Sequence, residues 1–304
     1  MPADASVHGW LVVDKPLGLS SSRVVALVRH RTGAKAGHAG TLDPLATGVL
    51  PVALGEATKT VRYVVARHKR YRFCIRWGIA RDTDDGEGEI VGETAARPSR
   101  EAIEAVLPRF TGVIAQVPPA HSAIRIAGRR AYALARAGSP PDLPARPVEV
   151  SALRLIATTD PDHADFEATV GKGTFIRALA RDLAGALGTL GYVVALRRLS
   201  VGCFTEAQAI SLETVASWRH IGDACGDLLP IETALDGIPA VVLAAGEAVR
   251  LRFGQRVRPC DPKVLADLDR VDRGSVVGAW QDGALVAFAR VEEGGLQAVR
   301  VINR

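Results

Sequence analysis

The chain has 304 residues, of which 48% are hydrophobic and 23% charged, a composition typical of a folded protein with one large domain and a smaller one. No apolar run approaches the ~20 residues that a membrane-spanning helix needs, and the N-terminal segment lacks the basic start and apolar core of a signal peptide. The sequence therefore argues against a helical membrane protein, and we expect a cytoplasmic protein without membrane contacts.

The formal net charge is +5, and 32 of the 38 basic side chains are arginines. Arginine suits bidentate contacts with phosphate and stacking on bases, which fits a polyanionic partner. A biased genome composition produces the same ratio, so charge alone leaves both explanations open.

The cysteines are far apart and form no Cys-x-x-Cys pair, so the sequence predicts neither a zinc site nor a disulfide framework. No other metal motif is present, and we expect no bound metal ion. The sequence predicts buried free thiols at four positions, which are Cys74, Cys203, Cys225 and Cys260.

The first elements in chain order are a strand and a helix. Residues 10–13 predict a short strand that runs into a Pro/Gly turn. Ser21 or Ser22 can cap the helix that follows, and Gly33 is placed to end it.

A glycine-rich loop over residues 37–48 leads to residues 49–59, which predict a buried strand or the entry to a helix. The segment 69–78, KRYRFCIRWG, alternates apolar with mostly basic side chains, the period of two that is typical of a half-buried strand. Residues 81–91 are acidic and fail the calcium-loop pattern, since the glycine comes one residue early and the closing Glu is missing. We predict a solvated loop there.

The middle of the chain mixes helices and strands without regular alternation. We predict an amphipathic helix at 100–110, a proline-marked loop and basic helix within 116–138, and a linker into a strand at 141–150. Residues 164–188 predict a strand, a Gly-Lys-Gly turn and a helix, and residues 195–202 another strand. This irregular order favours the α+β class over a doubly wound sheet.

The pattern changes after Asp236. Short β-like segments follow, separated by the turn sequences QDGA and EEGG. We therefore predict two domains, residues 1–236 and a smaller β domain over residues 237–304.

Asp43 is the carboxylate of the glycine-rich loop GHAGTLDPLATG. Pro44 biases it toward an extended backbone, and the glycines allow tight turns or the close approach of another molecule. The pattern suits a carboxylate that projects from a rigid loop into a cleft. It equally suits an aspartate that makes a local turn hydrogen bond, and the loop alone favours that simpler interpretation.

Three further residues match what a flipped nucleotide needs. Tyr71 can stack on a base, Arg177 can pair with a carboxylate or phosphate, and His38 can stack among displaced bases. Taken singly, each has a simpler interpretation, namely strand core, helix surface charge and turn residue.

The segment GHAGTLDPLATGVLP resembles the catalytic-loop motif of the TruB family of tRNA pseudouridine-55 synthases. Further segments resemble other blocks of that family in the same order: DKPLGLSS, LGEATK, KRYRFCIRWG, PPAHSAIRIAGRRAYALAR, ARPVEV, GKGTFIRALARDL and LRRLSVG. The resemblance covers about residues 9–236. It implies a pseudouridine synthase fold with a mixed, largely antiparallel sheet flanked by helices, and an all-β PUA-like RNA-binding domain at the C-terminus.

The resemblance also implies an enzyme that isomerises uridine 55 in the T arm of tRNA, without a cofactor or metal ion. The bond from uracil N1 to ribose C1′ is broken, the base rotates, and C5 is joined to C1′. The partner is then tRNA, and we expect a monomer. Two other functions stay open: an RNA-binding or tRNA-folding protein without isomerisation, and a nucleoside or glycoside hydrolase, whose chemistry usually needs two carboxylates.

Residue roles follow from the resemblance position by position. Asp43 matches the catalytic aspartate, which either attacks C1′ or takes the 2′ proton to give a glycal; the sequence does not choose between these. Tyr71 matches the tyrosine that stacks on the target base, and Arg177 the arginine that pairs with the aspartate. His38 matches the histidine that enters the T loop, and Leu196 an apolar residue of the pocket.

Three positions depart from the family pattern. Phe175, which belongs with the substrate-binding positions, stands where the family usually has tyrosine, so the ring is kept and the hydroxyl lost. His121 also replaces a usual tyrosine, and Arg125 a usual lysine. The sequence does not determine how these changes affect loop packing and RNA contacts, and none of them involves Asp43.

Overall fold

A computed structural model describes residues 7–122, 124–126, 129–137, 139, 141–293 and 295–303. Within these ranges the side chains of residues 125, 130, 133, 136 and 221 are not described.

The described residues form eighteen strands and eight α-helices, joined by short 3₁₀ turns. The strands are β1 (Gly9–Lys15), β2 (Ala36–His38), β3 (Ala46–Leu54), β4 (Lys69–Trp77), β5 (Ile79–Arg81), β6 (Ile90–Glu93), β7 (Gly112–Gln116), β8 (Arg125–Ile126), β9 (Arg129–Arg130), β10 (Arg146–Asp160), β11 (His163–Val170), β12 (Gly191–Val201), β13 (Phe204–Thr205), β14 (Ile210–Ser211), β15 (Ala240–Val242), β16 (Val276–Gln281), β17 (Ala284–Glu292) and β18 (Gly295–Val301). The helices are α1 (Ser21–Thr32), α2 (Val61–Val65), α3 (Arg100–Val106), α4 (Ala131–Arg136), α5 (Ile176–Ala186), α6 (Leu212–Ser217), α7 (Ala245–Arg252) and α8 (Pro262–Leu268).

The main sheet has ten strands, and eight of them follow the order β14-β1-β3-β12-β4-β11-β10-β7, with β2 paired to β3 and β13 to β12. The pairs β1–β14 and β3–β12 are parallel and the other pairs are antiparallel. This mixed, largely antiparallel sheet confirms the predicted α+β class. Its centre, β3-β12-β4, brings together strands that are far apart in the sequence.

Local patterns account for the elements around the loop. β4 alternates buried and more exposed residues along its length, as predicted for a half-buried strand. α1 ends at Gly33, whose φ of 66° is the left-handed conformation that glycine adopts without strain. Its N-cap is Ser20, which accepts from the Arg23 amide, rather than the predicted Ser21 or Ser22.

A separate four-stranded sheet, β15-β16-β17-β18, forms near the C-terminus. Two helices that the sequence pattern did not predict, α7 and α8, lie between β15 and β16. Phe288 of β17 stacks on Tyr63 of α2 with ring centroids 4.4 Å apart. Lys59 donates to the Val301 carbonyl at 2.8 Å. The C-terminal sheet is therefore fastened to the main body by an aromatic pair and a hydrogen bond.

The thiols differ in part from the prediction. All four cysteines are free, as expected. However, Cys225 and Cys260 are exposed, and Cys74 and Cys203 are only partly buried. The prediction of buried thiols is wrong at the two exposed positions, because both lie in connecting segments outside the regular elements.

Candidate active site

Asp43 lies in the loop between β2 and β3, and neighbouring segments hold this loop on both sides of it. The Ser21 hydroxyl accepts from the Leu42 amide at 2.8 Å and donates to the Leu42 carbonyl at 2.9 Å. The Pro44 carbonyl accepts from the Lys15 ammonium at 3.3 Å. The Asp43 side chain itself stays 37% exposed, so a fixed backbone presents an accessible carboxylate.

Arg177 joins this loop to two other segments. Its Nε donates to Oδ2 of Asp43 at 3.0 Å, and its Nη2 lies 2.8 Å from the same oxygen as an ion pair. Nη2 also donates to the His121 carbonyl at 2.9 Å, and Nη1 donates to the Thr83 carbonyl at 2.7 Å and lies 3.1 Å from Oδ2 of Asp85. Each of the three guanidinium nitrogens thus donates a hydrogen bond, and two carboxylates lie within ion-pair distance. Because the arginine is only 5% exposed and bonds three separate segments, it holds the carboxylate in one orientation.

The acidic segment 81–91 is not the solvated loop that the sequence predicts at Asp84 and Asp85. Both side chains are buried, and Asp84 pairs with Arg181 at 3.0 Å while Asp85 pairs with Arg177. The two arginines are four residues apart on α5 and so share one face of the helix. Two adjacent aspartates therefore meet two successive arginines of that face, and Asp85 is a site residue that sequence analysis missed.

Tyr71 and Leu196 lie in the main core, on strands next to the loop. β12 runs between β3 and β4, with Leu196 paired to Ala46 and Arg198 paired to Tyr71. Ala46 follows Asp43 by three residues, and its amide donates to the Asp43 carbonyl at 3.0 Å. Strand order thus brings both side chains to the part of the sheet from which the loop projects.

His38 is the last residue of β2 and pairs with Val52 of β3. Burial, together with the positive charge of Arg198, lowers the pKa of its imidazole below the ordinary value. Its buried Nδ1 has no hydrogen-bond partner among the described residues. Both influences favour the neutral form of the ring, which suits stacking.

Comparisons with known proteins show the family to which the chain belongs. Residues 28–176 match the N-terminal domain model of the TruB family pseudouridylate synthases, and residues 177–236 match the tRNA pseudouridylate synthase B C-terminal domain model. The chain is 49% identical over 299 residues to the tRNA pseudouridine synthase B of Rhodospirillum rubrum. This alignment covers 98% of the present chain and 97% of the relative. The chain belongs to the TruB family.

Other relatives and two solved structures extend the comparison. The tRNA pseudouridine synthase B of Gluconacetobacter diazotrophicus is 48% identical over 300 residues, 97% of each chain. The crystal structure of the archaeal box H/ACA sRNP Nop10-Cbf5 complex matches 97% of this chain and 86% of its own, with a TM-score of 0.72 and 21% identity. The crystal structure of a Cbf5-Nop10-Gar1 complex matches 97% of this chain and 85% of its own, with a TM-score of 0.73 and 24% identity. At such identities the structures show the shared fold, which confirms the predicted pseudouridine synthase fold.

Phe175, one of the departures from the TruB pattern, stands at the N-cap of α5, two residues before Arg177. Its amide donates to Oε1 of Gln116 at 2.9 Å, and its carbonyl accepts from Nε2 of the same side chain at 3.1 Å. The Arg146 guanidinium lies 5.2 Å from the ring centroid, a cation–π distance. The ring thus keeps an aromatic contact, and Gln116 fixes the backbone that leads into α5.

The other two departures differ in what the structure describes. His121 contributes its backbone carbonyl to Arg177, a contact that does not depend on the side chain. The His121 ring lies 4.0 Å from the Asp82 carboxylate. The side chain of Arg125 lies outside the described residues.

Within the described ranges, no group of three or more His, Cys, Asp or Glu side chains is placed to hold a metal ion. In the same part of the chain, no helix is long and apolar enough to cross a bilayer.

Proposed function

We propose that this protein isomerises uridine 55 in the T-arm loop of tRNA to pseudouridine, without a cofactor or metal ion. Membership of the TruB family and near-full-length similarity to proteins named tRNA pseudouridine synthase B support the reaction and the substrate. One observation carries the proposal. Arg177 binds Asp43 only through Oδ2, and Oδ1 has no hydrogen-bond partner in the part of the chain that the structure describes.

A carboxylate held in this way has one oxygen anchored and one left to react. The reaction breaks the bond from uracil N1 to ribose C1′, turns the base, and forms the bond from C5 to C1′ with loss of the C5 proton to solvent. Oδ1 of Asp43 serves either as the nucleophile at C1′ or as the base that takes the 2′ proton. Both routes need an oriented carboxylate, and the buried Arg177 orients that of Asp43.

The remaining site residues bind the substrate in this proposal. Tyr71 stacks on the target base and Leu196 lines the pocket beside it, consistent with their place on the strands next to the loop. His38 enters the T loop where the base leaves, a role supported by the lowered pKa of its imidazole, which favours the neutral ring. Phe175 contributes an aromatic face at the start of α5. Flipping a base costs on the order of a few kcal/mol, which such stacking contacts offset in part.

We further infer that the two domains have different functions. Residues 1–236 form the catalytic domain, and residues 237–304 form a PUA-like domain that binds RNA. The protein acts as a monomer, because one chain supplies every residue of the proposed site, and it acts in the cytoplasm, where its tRNA substrate is made.

The test uses a tRNA transcript that carries tritium at uridine C5, because forming the new C5–C1′ bond must expel that atom. We expect the parent protein to release one equivalent of tritium per tRNA, and none from a transcript with cytidine at position 55. Asp43→Asn should bind the transcript and release no tritium, since an amide neither attacks C1′ nor takes the 2′ proton.

Asp162→Asn is the matched control. Asp162 is also a partly exposed aspartate that pairs with an arginine, Arg97, but at the turn between β10 and β11. It should release tritium at the parent rate. Binding without release by the parent would make the protein an RNA binder, and free uracil in the supernatant would make it a hydrolase.

A further inference from the structure

A second arginine, Arg198, lies beneath the loop that carries Asp43. Its Nε donates to the Val49 carbonyl at 2.7 Å, its Nη2 to the Gly40 carbonyl at 3.0 Å, and its Nη1 to the Thr41 carbonyl at 3.4 Å. Two of these acceptors precede Asp43 in the loop and the third follows it. One guanidinium group therefore ties together both arms of the loop.

The arginine is enclosed and bonds only to backbone. Arg198 is 1% exposed. Among the described residues, no carboxylate lies within ion-pair distance of it. Burying a charge without a counterion is costly, so a buried guanidinium indicates a site where its planar set of donors is needed. Here those donors fix the direction of two loop carbonyls, those of Gly40 and Thr41, and of the Val49 carbonyl in β3.

The backbone of the loop is shaped to this contact. Gly40 and Gly48 have φ of 103° and 99°, which side-chain-bearing residues rarely adopt. A Cβ atom added at Gly48 would lie 2.2 Å from the carbonyl oxygen of Arg198. A Cβ atom added at Gly40 would lie 3.4 Å from Nη1 of Arg198. The loop thus approaches the Arg198 backbone at one end and its guanidinium at the other.

Two buried lysines share this environment. Lys15 donates to three backbone carbonyls and Lys69 to two. Burial lowers the pKa of each ammonium to about 8, and the charge of Arg198 contributes to both shifts. Asp43 is the carboxylate that most favours the charged form of Lys15. Of these cations, Lys15 bonds the loop at the Pro44 carbonyl, Lys69 bonds the Val65 and Arg67 carbonyls outside it, and Arg198 contacts it at the most points.

We propose that Arg198 is a positioning residue for the isomerisation, which binds both arms of the loop and thereby sets the place of the Asp43 carboxylate relative to ribose C1′. The inference rests on the proposed function, because it assigns Arg198 a part in that reaction. Arg198 contacts no substrate atom in this role. It acts through the backbone of residues 40–49, whereas Arg177 acts on the carboxylate itself.

The test compares Arg198→Lys with Arg197→Lys. Lysine keeps the positive charge and loses the planar fork, so it cannot hold three carbonyls in the same geometry. Arg197 is the next residue on β12, but it is 38% exposed and pairs with Asp14 and Glu206 at 2.9 and 2.6 Å. Three quantities are measured for each variant: the single-turnover rate of tritium release, the Kd for tRNA, and the thermal unfolding midpoint.

For Arg198→Lys we expect a rate that falls roughly 100-fold, since small displacements of a reacting group have effects of that size, and a Kd within about threefold of the parent. Hydrogen exchange should quicken in peptides that cover residues 38–49 and stay unchanged in β10 and β11. Arg197→Lys should keep the parent rate and exchange pattern. The split between rate and Kd separates positioning from a general loss of structure.

An Arg198→Lys protein with the parent rate would overturn the proposal, as would a loss confined to Kd or to the folded fraction. If that variant does not fold, Arg198→Gln takes its place, and the same split between rate and Kd decides. Absence of release from the parent would remove the proposed function and this proposal with it. An active parent beside an equally active Arg198→Lys would remove this proposal alone.

Discussion

At the scale of single residues, the site depends on how one guanidinium group is shared. Arg177 pairs with the Asp43 carboxylate and with the Asp85 carboxylate, and it also donates to two backbone carbonyls. Asp43 is accessible and Asp85 is buried. The buried Asp85 therefore helps to fix the position of Arg177, and Arg177 fixes the position of the accessible Asp43.

This relation predicts the effect of Asp85→Asn. The amide removes the ion pair and loosens one of the contacts that hold Arg177, so tritium release should slow by roughly 10- to 100-fold through misplacement of Asp43. The Kd for tRNA should stay near that of the parent. Asp82→Asn is the control, because Asp82 belongs to the same segment and is 42% exposed. Equal rates for the two variants would contradict the role of Asp85.

Asp84 predicts a pH dependence of stability. Burial raises the pKa of its carboxyl to about 6 from an ordinary value of 3.8, with Arg181 and Arg177 opposing the rise. The folded protein thus binds this proton more tightly than the unfolded chain does. The stabilisation is fully present below the pKa that Asp84 has in the unfolded chain, and it is lost as the pH rises through the pKa in the folded protein.

We therefore expect the free energy of unfolding of the parent, relative to Asp84→Asn, to fall by about 1–3 kcal/mol between roughly pH 4 and pH 7. Urea denaturation of both proteins at several pH values in that window measures the difference. A constant difference, or one that grows with pH, would show that Asp84 does not titrate in this way.

At the scale of elements, α5 supplies both arginines of the site, and its first turn is held by another strand. Gln116, the last residue of β7, is fully buried and bonds both backbone groups of Phe175. A helix start without a capping side chain depends on such a partner for its unpaired groups. The side-chain amide thereby fixes where α5, and with it Arg177, begins.

Gln116→Leu tests this dependence. The leucine fills a similar volume but leaves the Phe175 amide and carbonyl without their partner. The free energy of unfolding should therefore fall by about 2–4 kcal/mol. Gln255→Leu, at an exposed position, should change stability little. Urea titration of the two variants gives the comparison, and similar losses in both would argue against a special role for Gln116.

At the scale of the whole molecule, the C-terminal sheet packs against the main body. Phe288 and Ile302 belong to an apolar cluster that includes Trp10 and Val12 of β1. Removing residues 237–304 would expose that cluster, so a deletion would mix the loss of the proposed RNA contacts with a loss of stability. Substitutions on the surface of this region are the cleaner test of RNA binding.

Helix α7 offers such a surface. Arg250 and Arg252 are exposed, and Phe253 beside them is 80% exposed. If these arginines contact phosphates, replacing both with glutamine should make the slope of log K against log salt shallower by roughly 1.4–1.8. Arg270 and Arg273, which already pair with Asp267 and Glu293, supply the control double variant. An unchanged slope for the α7 variant would exclude this helix from the RNA interface.

Some features follow from the sequence by itself, because they depend on neighbours along the chain. The alternation over residues 69–77 determines a half-buried strand, and Gly33 determines the end of α1 through its left-handed φ. The loop motif around Asp43 and the later motif blocks identify the family, and the family models and relatives confirm it.

Only the tertiary structure decided the rest. Acidic residues in a glycine-rich turn look the same whether they are solvated or buried, and it was the packing of α5 that brought arginines to Asp84 and Asp85. A strand residue such as Arg198 shows no local sign of what its side chain reaches, since its three acceptors lie some 150 residues earlier. Contacts between segments far apart in sequence set burial and pairing, and these contacts hold Asp43 in place.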